Sequence, residues 1–401
     1  MKKTMSILVI LGVLLTSVIY FDEIKAATYT VCASGCDYTT IQAAINAASS
    51  NDTILVYTGS YAGFDVNKTG ITVRAATGEA PVINGAGVSV NGQVVAVQVS
   101  AHNVTIQGLT IDGSYSTGIY VYNAATPPYG ANILDNTIDQ TGYDPGALAS
   151  WDGGAIYANA GGSPPTVFSG NIIDFGSSSR AHNGIKTWGD NDPDYTIQDN
   201  TITITTMTKY QVAINVETGD GSATVENNTI TSPDKTLGSW TKVFGIWLYG
   251  GGTGAKNTTV QGNTVTKTDY ALWVSGPNAD NIFATENNFY SSDFGSVIEG
   301  NATGVDLECN NIYSNTYYGV YNGGTVLVDA EWNWWGSLTG PSGVGPGVGD
   351  AVTDDVDYSP WLQSPCNTRP LTPPSLETII NSYRPLASNR IIKVTDLQKE
   401  A

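Results

Sequence analysis

The segment Gln198-Asp199-Asn200-Thr201-Ile202 recurs in similar form along most of the chain, and these repeated segments decide the fold. In each relative an asparagine stands between two short apolar runs. The aligned asparagines are Asn136, Asn171, Asn200, Asn228, Asn263, Asn288, Asn311 and Asn333. Subtraction of their residue numbers gives separations of 35, 29, 28, 35, 25, 23 and 22 residues. A unit that recurs at such intervals is typical of a solenoid rather than of a globular core.

The asparagines also predict how successive units are joined. Asn and Gly adopt the left-handed backbone conformation that tight turns need. Stacked Asn side chains hydrogen-bond to one another in other stacked-strand assemblies. We therefore expect a column of asparagines along the solenoid axis, with one member at a turn of each unit.

Composition agrees with a protein of short strands. The 401 residues include 45 Gly, and only 13% are charged. This composition suits many strands joined by tight turns and does not suit a helical bundle. The formal charge of −19 argues against nucleic acid and anionic membrane surfaces as partners.

The N-terminus predicts export. Met1-Lys2-Lys3 and the apolar stretch from Met5 to Tyr20 are typical of a secretory signal peptide, with a cleavage site at Ile24-Lys25-Ala26. The alternative is an uncleaved anchor, for which a stretch of about 16 apolar residues is short. We expect a secreted protein, extracellular or at the cell surface, that does not associate with the membrane once the signal is removed.

Four cysteines suit an oxidising compartment. They allow three connectivities, and the sequence does not choose among them. Cys32 and Cys36 lie in a small loop that a bond would close, which leaves Cys309 and Cys366 as the second pair. Because no His lies near any of them, disulfides are favoured over a metal site.

Residues 38–48 form the one clear amphipathic helical pattern, with one apolar face made by Ile41, Ala44, Ile45 and Ala48. The segment Tyr38-Thr39-Thr40-Ile41-Gln42-Ala43-Ala44-Ile45, the segment from Asp52 to Tyr61 and the repeated asparagine resemble secreted right-handed parallel β-helix proteins of the pectate-lyase-like superfamily. The resemblance covers about residues 28–365 and implies an all-β fold whose N-terminal end is capped by the helix. Because that superfamily holds lyases, hydrolases, epimerases, adhesins and binding proteins, it implies the fold and leaves the chemistry open.

The predicted organisation has four parts. They are a signal peptide (1–26), an N-terminal cap with the first coils (27–100), the β-helix repeats with a closing segment (101–365) and a C-terminal tail (366–401). We assign no role to the tail.

A second strand follows each asparagine turn, and strand side chains alternate between faces. The predicted inward row is Ile119, Ile156, Ile185, Ile214, Ile246, Leu272 and Val320. The predicted outward row is Tyr120, Tyr157, Lys186, Asn215, Trp247, Trp273 and Tyr321. A second outward row beside it is Tyr122, Asn159, Trp188, Glu217, Tyr249 and Ser275.

The outward rows predict a binding groove with aromatic ends and a polar middle. An exposed aromatic stripe on a secreted protein favours a ligand, and flat sugar faces stack on Trp and Tyr. The alternative is that the rings pack beneath loops or reflect strand propensity alone. The candidate substrate-binding residues are Tyr120, Tyr157, Trp188, Asn215, Trp247, Tyr249 and Trp273.

Long insertions at residues 141–153, 175–183 and 232–243 are predicted to build the walls of this groove on one side of the solenoid. They bring further charged groups next to Lys186. The candidate catalytic residues are Lys186, Arg180, His182, Glu217 and Asp152.

These residues suit elimination or C5 epimerisation of a uronate, which needs a base and a cation that neutralises the carboxylate. Lys186 or His182 would be the base, Arg180 the cation, and Glu217 or Asp152 an acid or a calcium ligand. The alternative is that Arg180, His182 and Lys186 are ordinary solvated residues.

Family motifs are matched only in part. Residues 183–188 resemble a polygalacturonase signature but lack its Arg. The Asp-Asp and Gly-His-Gly elements of that family are also absent from this sequence, so pectin hydrolysis is disfavoured. Residues 142–145 are similar to alginate epimerases, but Gly146 stands where that family has His. The acidic segment 189–194 is a calcium candidate, although a solvated acidic turn is favoured there.

The sequence therefore predicts a monomeric, polysaccharide-binding β-helix that acts as a lyase or epimerase on an acidic polysaccharide, with calcium as the candidate cofactor. Glycoside hydrolysis is the less favoured chemistry. The alternative function is a non-catalytic cell-surface or adhesive β-helix.

Overall fold

The computed structural model describes residues 26–113, 115–139, 153–176, 182–205, 210–233, 235–236 and 242–366. Three long sheets wind around one axis as a right-handed parallel β-helix, so the predicted all-β fold class is confirmed. From Thr53 to Asn322 each coil contributes one strand to each sheet, with the hairpin strand Val88–Val90 as an extra strand of sheet 3, and strands pair with the corresponding strands of the neighbouring coils.

The bounds of the strands follow the coils along the axis. Sheet 1 consists of Thr28–Val31, Thr53–Val56, Thr72–Ala75, Thr105–Gln107, Asn132–Leu134, Thr166–Ser169, Asp194–Gln198, Ser222–Glu226, Lys256–Gln261, Asp280–Thr285, Thr303–Glu308, Val328–Asp329 and Val356–Asp357. Sheet 2 consists of Gly59–Tyr61, Pro81–Ile83, Thr110–Asp112, Thr137–Asp139, Ile172–Asp174, Thr201–Thr203, Thr229–Thr231, Thr264–Thr266, Asn288–Tyr290 and Asn311–Tyr313. Sheet 3 consists of Phe64–Val66, Val88–Val90, Gln93–Val99, Thr117–Val121, Gly154–Ala158, Asn183–Thr187, Tyr210–Val216, Lys242–Tyr249, Tyr270–Ser275, Phe294–Glu299, Tyr318–Asn322, Pro341–Gly343 and Gly349–Val352.

The core is the space that the three sheets enclose. Every member of the predicted inward row of sheet 3 is completely buried, which confirms that row. The strand Phe294–Glu299 adds a member that the prediction omitted, because Ser296 pairs with Leu272 on one side and Val320 on the other. Burial of one aliphatic side chain in such a column contributes about 1.5–3 kcal/mol.

The predicted asparagine column is confirmed, but its register was wrong in two coils. The members that bond to the column are Asn287 and Asn310, whereas Asn288 and Asn311 lie in the strands of sheet 2 that follow. The corrected separations are 35, 29, 28, 35, 24, 23 and 23 residues. In the last three intervals each coil therefore has nearly constant length.

Each asparagine of this column, which we call the asparagine ladder, is bonded to both neighbouring coils. Its Oδ1 accepts the backbone N–H and the side-chain N–H of the asparagine one coil earlier, at 2.8–3.1 Å. The same side-chain N–H group also donates to a backbone carbonyl of the preceding coil, as from Asn171 to Ile133. Because every polar atom of these buried amides has a partner, the ladder avoids the cost of burying unbonded groups.

The left-handed conformation lies one residue before each ladder asparagine. In the ladder turns this preceding residue has φ between 54° and 68°. These residues are Asp135, Gly170, Asp199, Asn227, Gly262, Glu286, Cys309 and Trp332. The ladder asparagine itself therefore does not supply the left-handed turn, and its side chain is used for bonding between coils.

A helix begins at Ile41 and ends at Ala47, within the predicted segment. The Thr40 hydroxyl accepts the Ala43 N–H at its start. Lys68 Nζ donates to three carbonyls at its end, those of Ile45, Asn46 and Ala48. The predicted apolar face packs into the core. Its role as a cap of the β-helix stays a prediction.

The predicted disulfides form, and of the three connectivities the structure has Cys32 with Cys36 and Cys309 with Cys366. The second bond ties the closing segment to a coil that lies 57 residues earlier in the chain. The predicted signal peptide and the predicted C-terminal tail lie outside the described residues, apart from Ala26 and Cys366. No helix in the described part of the chain is both long and apolar enough to span a bilayer.

Candidate functional site

The outer face of sheet 3 carries the two predicted outward rows in the expected register. Tyr120 pairs with Tyr157, and the row continues through Lys186, Asn215 and Trp247. After Trp273 the structure places Val297, which the prediction omitted, before Tyr321. The rows are thus continuous along the axis, with neighbouring coils about 4.8 Å apart.

The N-terminal part of this face, which we call the covered half, is mostly buried. Tyr120 and Tyr157 are only 5% and 8% exposed, and their rings stack at 5.2 Å between centroids. The antiparallel hairpin strand Val88–Val90 packs against this ring pair together with Val95. The expected exposure of the stripe is therefore wrong here, because the hairpin covers the rings.

Lys186 lies at the centre of the covered half. Its ammonium group is 5.3 Å from the centroid of the Tyr157 ring and 5.0 Å from the centroid of the Trp188 ring. The side chain is only 4% exposed, so cation–π attraction replaces part of its lost hydration. Lys186 is therefore an enclosed cation and not a solvated strand residue.

His182 precedes the strand that carries Lys186. Its Nδ1 lies 2.8 Å from the Tyr210 carbonyl oxygen. Because a carbonyl only accepts, Nδ1 carries the proton, and Nε2 is the acceptor nitrogen of the neutral ring. Burial lowers the pKa of His182, the positive charge of Lys186 lowers it further, and the bond to Tyr210 acts in the opposite direction. The ring is therefore neutral at pH 7 with a basic nitrogen.

The polar neighbours of Lys186 on the next coil are Asn215 and Glu217. Glu217 is 1% exposed, and its backbone exchanges hydrogen bonds with the Thr187 hydroxyl. Asn215 Nδ2 donates to Asn183 Oδ1 at 3.4 Å. The structure thus brings Lys186, His182, Asn215 and Glu217 into one region. Two other candidate catalytic residues, Arg180 and Asp152, lie outside the described residues.

The C-terminal part of the face carries a continuous sheet of rings over four consecutive coils. Neighbouring centroids lie 4.4–6.2 Å apart. We call it the aromatic platform, and it consists of Phe244, Trp247, Tyr249, Tyr270, Trp273, Phe294, Tyr317, Tyr318 and Tyr321. Trp247 and Trp273 at its centre are stacked at 4.4 Å with an interplanar angle of 9°. Apart from the buried Phe244 and the exposed Tyr317, its rings are half-buried, so one side of most rings is supported and part of each remains accessible.

The sequence analysis missed one complete row of this platform. Its members pair in register, and they are Phe244, Tyr270, Phe294 and Tyr318. Simple strand alternation predicts that these four rings point inward, because each ring stands two residues before an inward-facing residue. The residue between them is Gly or Ala and also faces inward, as shown at Gly245, where a Cβ would lie 2.4 Å from Val265 Cγ1. The recurring ring–small–inward triplet was the available signal.

Hydrogen bonds and ion pairs hold the border of the platform. Trp247 Nε1 donates to Ser275 Oγ at 2.7 Å, and Trp273 Nε1 donates to Glu299 Oε2 at 3.1 Å. Lys242 lies 5.7 Å from the Tyr270 centroid and pairs with Asp269 at 3.4 Å. The two indole rings are therefore fixed at their polar edges, and part of each half-buried ring remains accessible.

A buried ion network lies next to the platform. Lys235 Nζ is 3.3 Å from Asp269 Oδ2 and 4.0 Å from Asp293 Oδ2, and the Lys235 side chain has no exposed surface. Burial raises the pKa of Asp269, while the Val243 N–H and the Lys235 charge act in the opposite direction. Lys235 belongs to the insertion at residues 232–243, so the network fixes the base of that insertion.

All three predicted insertions connect a strand of sheet 2 to the next strand of sheet 3. Most of their residues lie outside the described part of the chain. Among the residues that the structure does describe, no three His, Cys, Asp or Glu side chains converge as a metal site requires. Calcium binding stays a prediction.

Comparisons with known proteins agree with the fold. Residues 63–237 match a family model described as "Protein of unknown function (DUF1565)", which covers less than half of the chain. No curated protein matches in sequence. A mutant tailspike protein of E. coli bacteriophage HK620, solved in complex with a pentasaccharide, is similar with a TM-score of 0.51 and 14% identity.

The tailspike match covers 77% of this chain and 60% of the tailspike chain, so this chain spans less than two thirds of that protein. An alginate lyase from Paenibacillus sp. str. FPU-7 matches with a TM-score of 0.44 and 16% identity, over 83% of this chain and 99% of the lyase. The tailspike likeness supports the parallel β-helix fold.

Proposed function

We propose that this protein is an exported β-helix that binds a polysaccharide along the outer face of sheet 3. The observation that carries the proposal is the stacked pair Trp247 and Trp273 at the centre of the aromatic platform. Trp and Tyr rings bind the apolar faces of sugar rings, and part of each half-buried ring of the platform is accessible to such a ligand. The rows run along the axis, so the surface fits an extended polymer.

Two further observations support the proposal. The disulfides suit an oxidising compartment, where extracellular polysaccharides occur. The tailspike structure that shares the fold was solved with a pentasaccharide, which is compatible with this use of a β-helix.

The direct experiment is affinity electrophoresis in gels that contain a single soluble polysaccharide. We expect at least one polymer to retard the protein and the Trp273→Ala variant to migrate faster in the same gel. The matched control is Tyr290→Ala, because Tyr290 stacks with Tyr313 at 5.0 Å on the outer face of sheet 2. Absence of retardation by every neutral and acidic polymer contradicts the proposal and favours the adhesive alternative.

A second candidate function is elimination or C5 epimerisation of a uronate in the covered half. It is favoured by the neutral His182, whose acceptor nitrogen suits a base, beside the enclosed cation Lys186. In this proposal His182 is the base, the enclosed charge of Lys186 favours the negative charge that develops beside it, and Glu217, Arg180 and Asp152 are the further candidates, with calcium as the candidate cofactor.

The second candidate is tested with uronate polymers and calcium, by absorbance of unsaturated products and by NMR for epimerised residues. We expect His182→Ala to abolish product formation and Tyr290→Ala to leave it intact. Because the pKa of His182 is lowered, its base form persists to lower pH than that of an ordinary histidine, so the acidic limb of the activity profile should lie below the usual histidine range. Product formation that is intact in His182→Ala contradicts this assignment.

A further inference from the structure

The charges around the aromatic platform bear on which polysaccharide it binds. Tyr270 lies in the middle of the platform, and burial raises the pKa of its phenol. The carboxylates of Glu299, Asp269 and Asp293 raise it further. Against these three carboxylates stand two cations, Lys235 and Lys242, so the five groups together carry one net negative charge. A negative field disfavours a ligand that carries carboxylates.

The cations at the border are engaged within the protein. Lys235 is completely buried against Asp269, and it therefore cannot reach a ligand on the outer face. Lys242 is 36% exposed at its side chain, but it is paired with the same carboxylate and lies over the Tyr270 ring. A uronate on the platform would have to compete with Asp269 for Lys242.

The carboxylate nearest to the indole pair also faces the ligand side. Glu299 is half-buried and accepts the Trp273 Nε1 proton, and it lies in the outward row after Tyr249 and Ser275. It can accept hydrogen bonds from sugar hydroxyls, and it repels anions. The remaining platform groups are apolar ring faces and phenol hydroxyls, which are neutral donors and acceptors.

We infer that the aromatic platform binds an uncharged polysaccharide and selects against uronate polymers. The inference rests on the proposed function, since it names the substrate class of that site. Ring stacking supplies the attraction, sugar hydroxyls meet Glu299 and the phenols, and the carboxylates at the border reject polyanions. This inference also distinguishes the two candidate functions. Binding on the platform requires an uncharged polymer and chemistry in the covered half requires a uronate, so the two functions need different polymers or different parts of one polymer.

The decisive experiment compares polymers that differ in charge alone. Affinity electrophoresis is run with polygalacturonate and with the same polymer after methyl esterification of its carboxylates. A soluble mixed-linkage glucan and a galactomannan serve as uncharged polymers, and alginate as a second polyuronate. Each gel is run at low and at high salt, with and without a calcium chelator.

We expect retardation by at least one uncharged polymer, with little dependence on salt or chelator. The esterified polymer should bind more tightly than polygalacturonate. Trp273→Ala should weaken the retained complex about tenfold, which is the loss of one aromatic stack. Glu299→Gln keeps an acceptor for the indole, and it should raise polygalacturonate binding about threefold at low salt because one repelling charge is removed.

The outcomes distinguish the two levels of the proposal. If no polymer retards the protein, the proposed function fails and the inference fails with it. If polygalacturonate or alginate binds more tightly than every uncharged polymer and the binding weakens with salt, polysaccharide binding stands and the inference is overturned. Polyuronate binding that Glu299→Gln leaves unchanged contradicts the electrostatic part.

Discussion

The covered half and the aromatic platform lie on the same face of the same sheet, in one continuous register, yet they present opposite surfaces. In the covered half a hairpin strand lies over Tyr120 and Tyr157, and the cation Lys186 is enclosed by rings. In the platform the rings are mostly half-exposed, and the cations are held beneath or beside them by carboxylates. Strand alternation therefore correctly predicts which side chains of the two rows point outward. Whether those side chains meet solvent depends on other segments of the protein that pack over them.

The strongest way to break the platform is to remove Lys235. Lys235→Met leaves the buried Asp269 without its closest cation, and we expect a loss of about 3–5 kcal/mol in the free energy of unfolding. Urea denaturation followed by tryptophan fluorescence measures it. The double variant Lys235→Met with Asp269→Asn should recover part of the loss, because the buried charge of Asp269 is removed together with its cation. A loss below about 1 kcal/mol in the single variant contradicts a structural role for the network.

The second prediction tests whether the platform is the binding half. Replacement of both Trp247 and Trp273 by Ala should weaken polysaccharide binding by about 2 kcal/mol, roughly thirtyfold. Isothermal titration with the retained polymer measures the effect. The control is the double variant Tyr290→Ala with Tyr313→Ala, which removes a stacked pair from sheet 2. Equal losses in both double variants would show that the platform has no special role.

The third prediction applies a similar change to the covered half. Tyr157→Leu removes the stack on Tyr120 and one ring from the Lys186 ammonium. We expect a loss of about 1–2 kcal/mol in the free energy of unfolding and unchanged affinity for the polymer bound by the platform. Denaturation and titration are measured on the same preparation. Weaker binding with unchanged stability would reverse the assignment of the two halves.

The smallest effect is expected on a surface that belongs to neither half, the outer face of sheet 1. Asp306 pairs in register with Asp329, and burial, together with the charges of Asp329 and Glu308, raises its pKa from 3.8 to about 6. The folded state therefore binds the proton of Asp306 more tightly than the unfolded state does. The contribution of Asp306 to the free energy of unfolding falls as the pH rises from about 4 to about 6.

Asp306→Asn removes this penalty. Because the side chain is half-exposed and screened, we expect a gain below about 1 kcal/mol at pH 7.5 that disappears near pH 4. Urea midpoints at the two pH values measure the difference. A gain of the same size at both pH values would show that packing, not charge, is responsible.

The sequence was sufficient for the fold because its signals are local. Apolar spacing, the turn residues and the asparagines agree in every coil, and each acts within a few residues. The error at Asn287 and Asn310 arose because each is followed by another asparagine. The inward apolar residue always stands two positions after the ladder member, as in Asn200 and Ile202, and this rule assigns both coils correctly.

The site was less predictable because the exposure of its side chains depends on segments that are distant in sequence. The alternation rule placed Tyr120 outward but could not show that Val88–Val90 would cover it, since the hairpin lies about one coil earlier. It also placed Phe244 inward, because an inward Gly245 breaks the alternation at the corner. Lys235 gave no local signal, as its partners Asp269 and Asp293 come from the two following coils.

The asparagine ladder has a consequence for how this molecule changes length. Ladder amides bond to their own coil and to the coils before and after it, as Asn263 does through Gln261, Val225 and Asn287. A segment that runs from one ladder position to the next can therefore be excised without leaving a ladder hydrogen-bond group unpaired. Removal of residues 264–287, a 24-residue step, would bring Asn263 into contact with Asn310 and keep every strand in phase. A shorter deletion in the same coil would shift the strand phase and orphan two amides. We therefore expect the protein to tolerate the gain or loss of whole coils, and each coil adds or removes one set of rings of the aromatic platform.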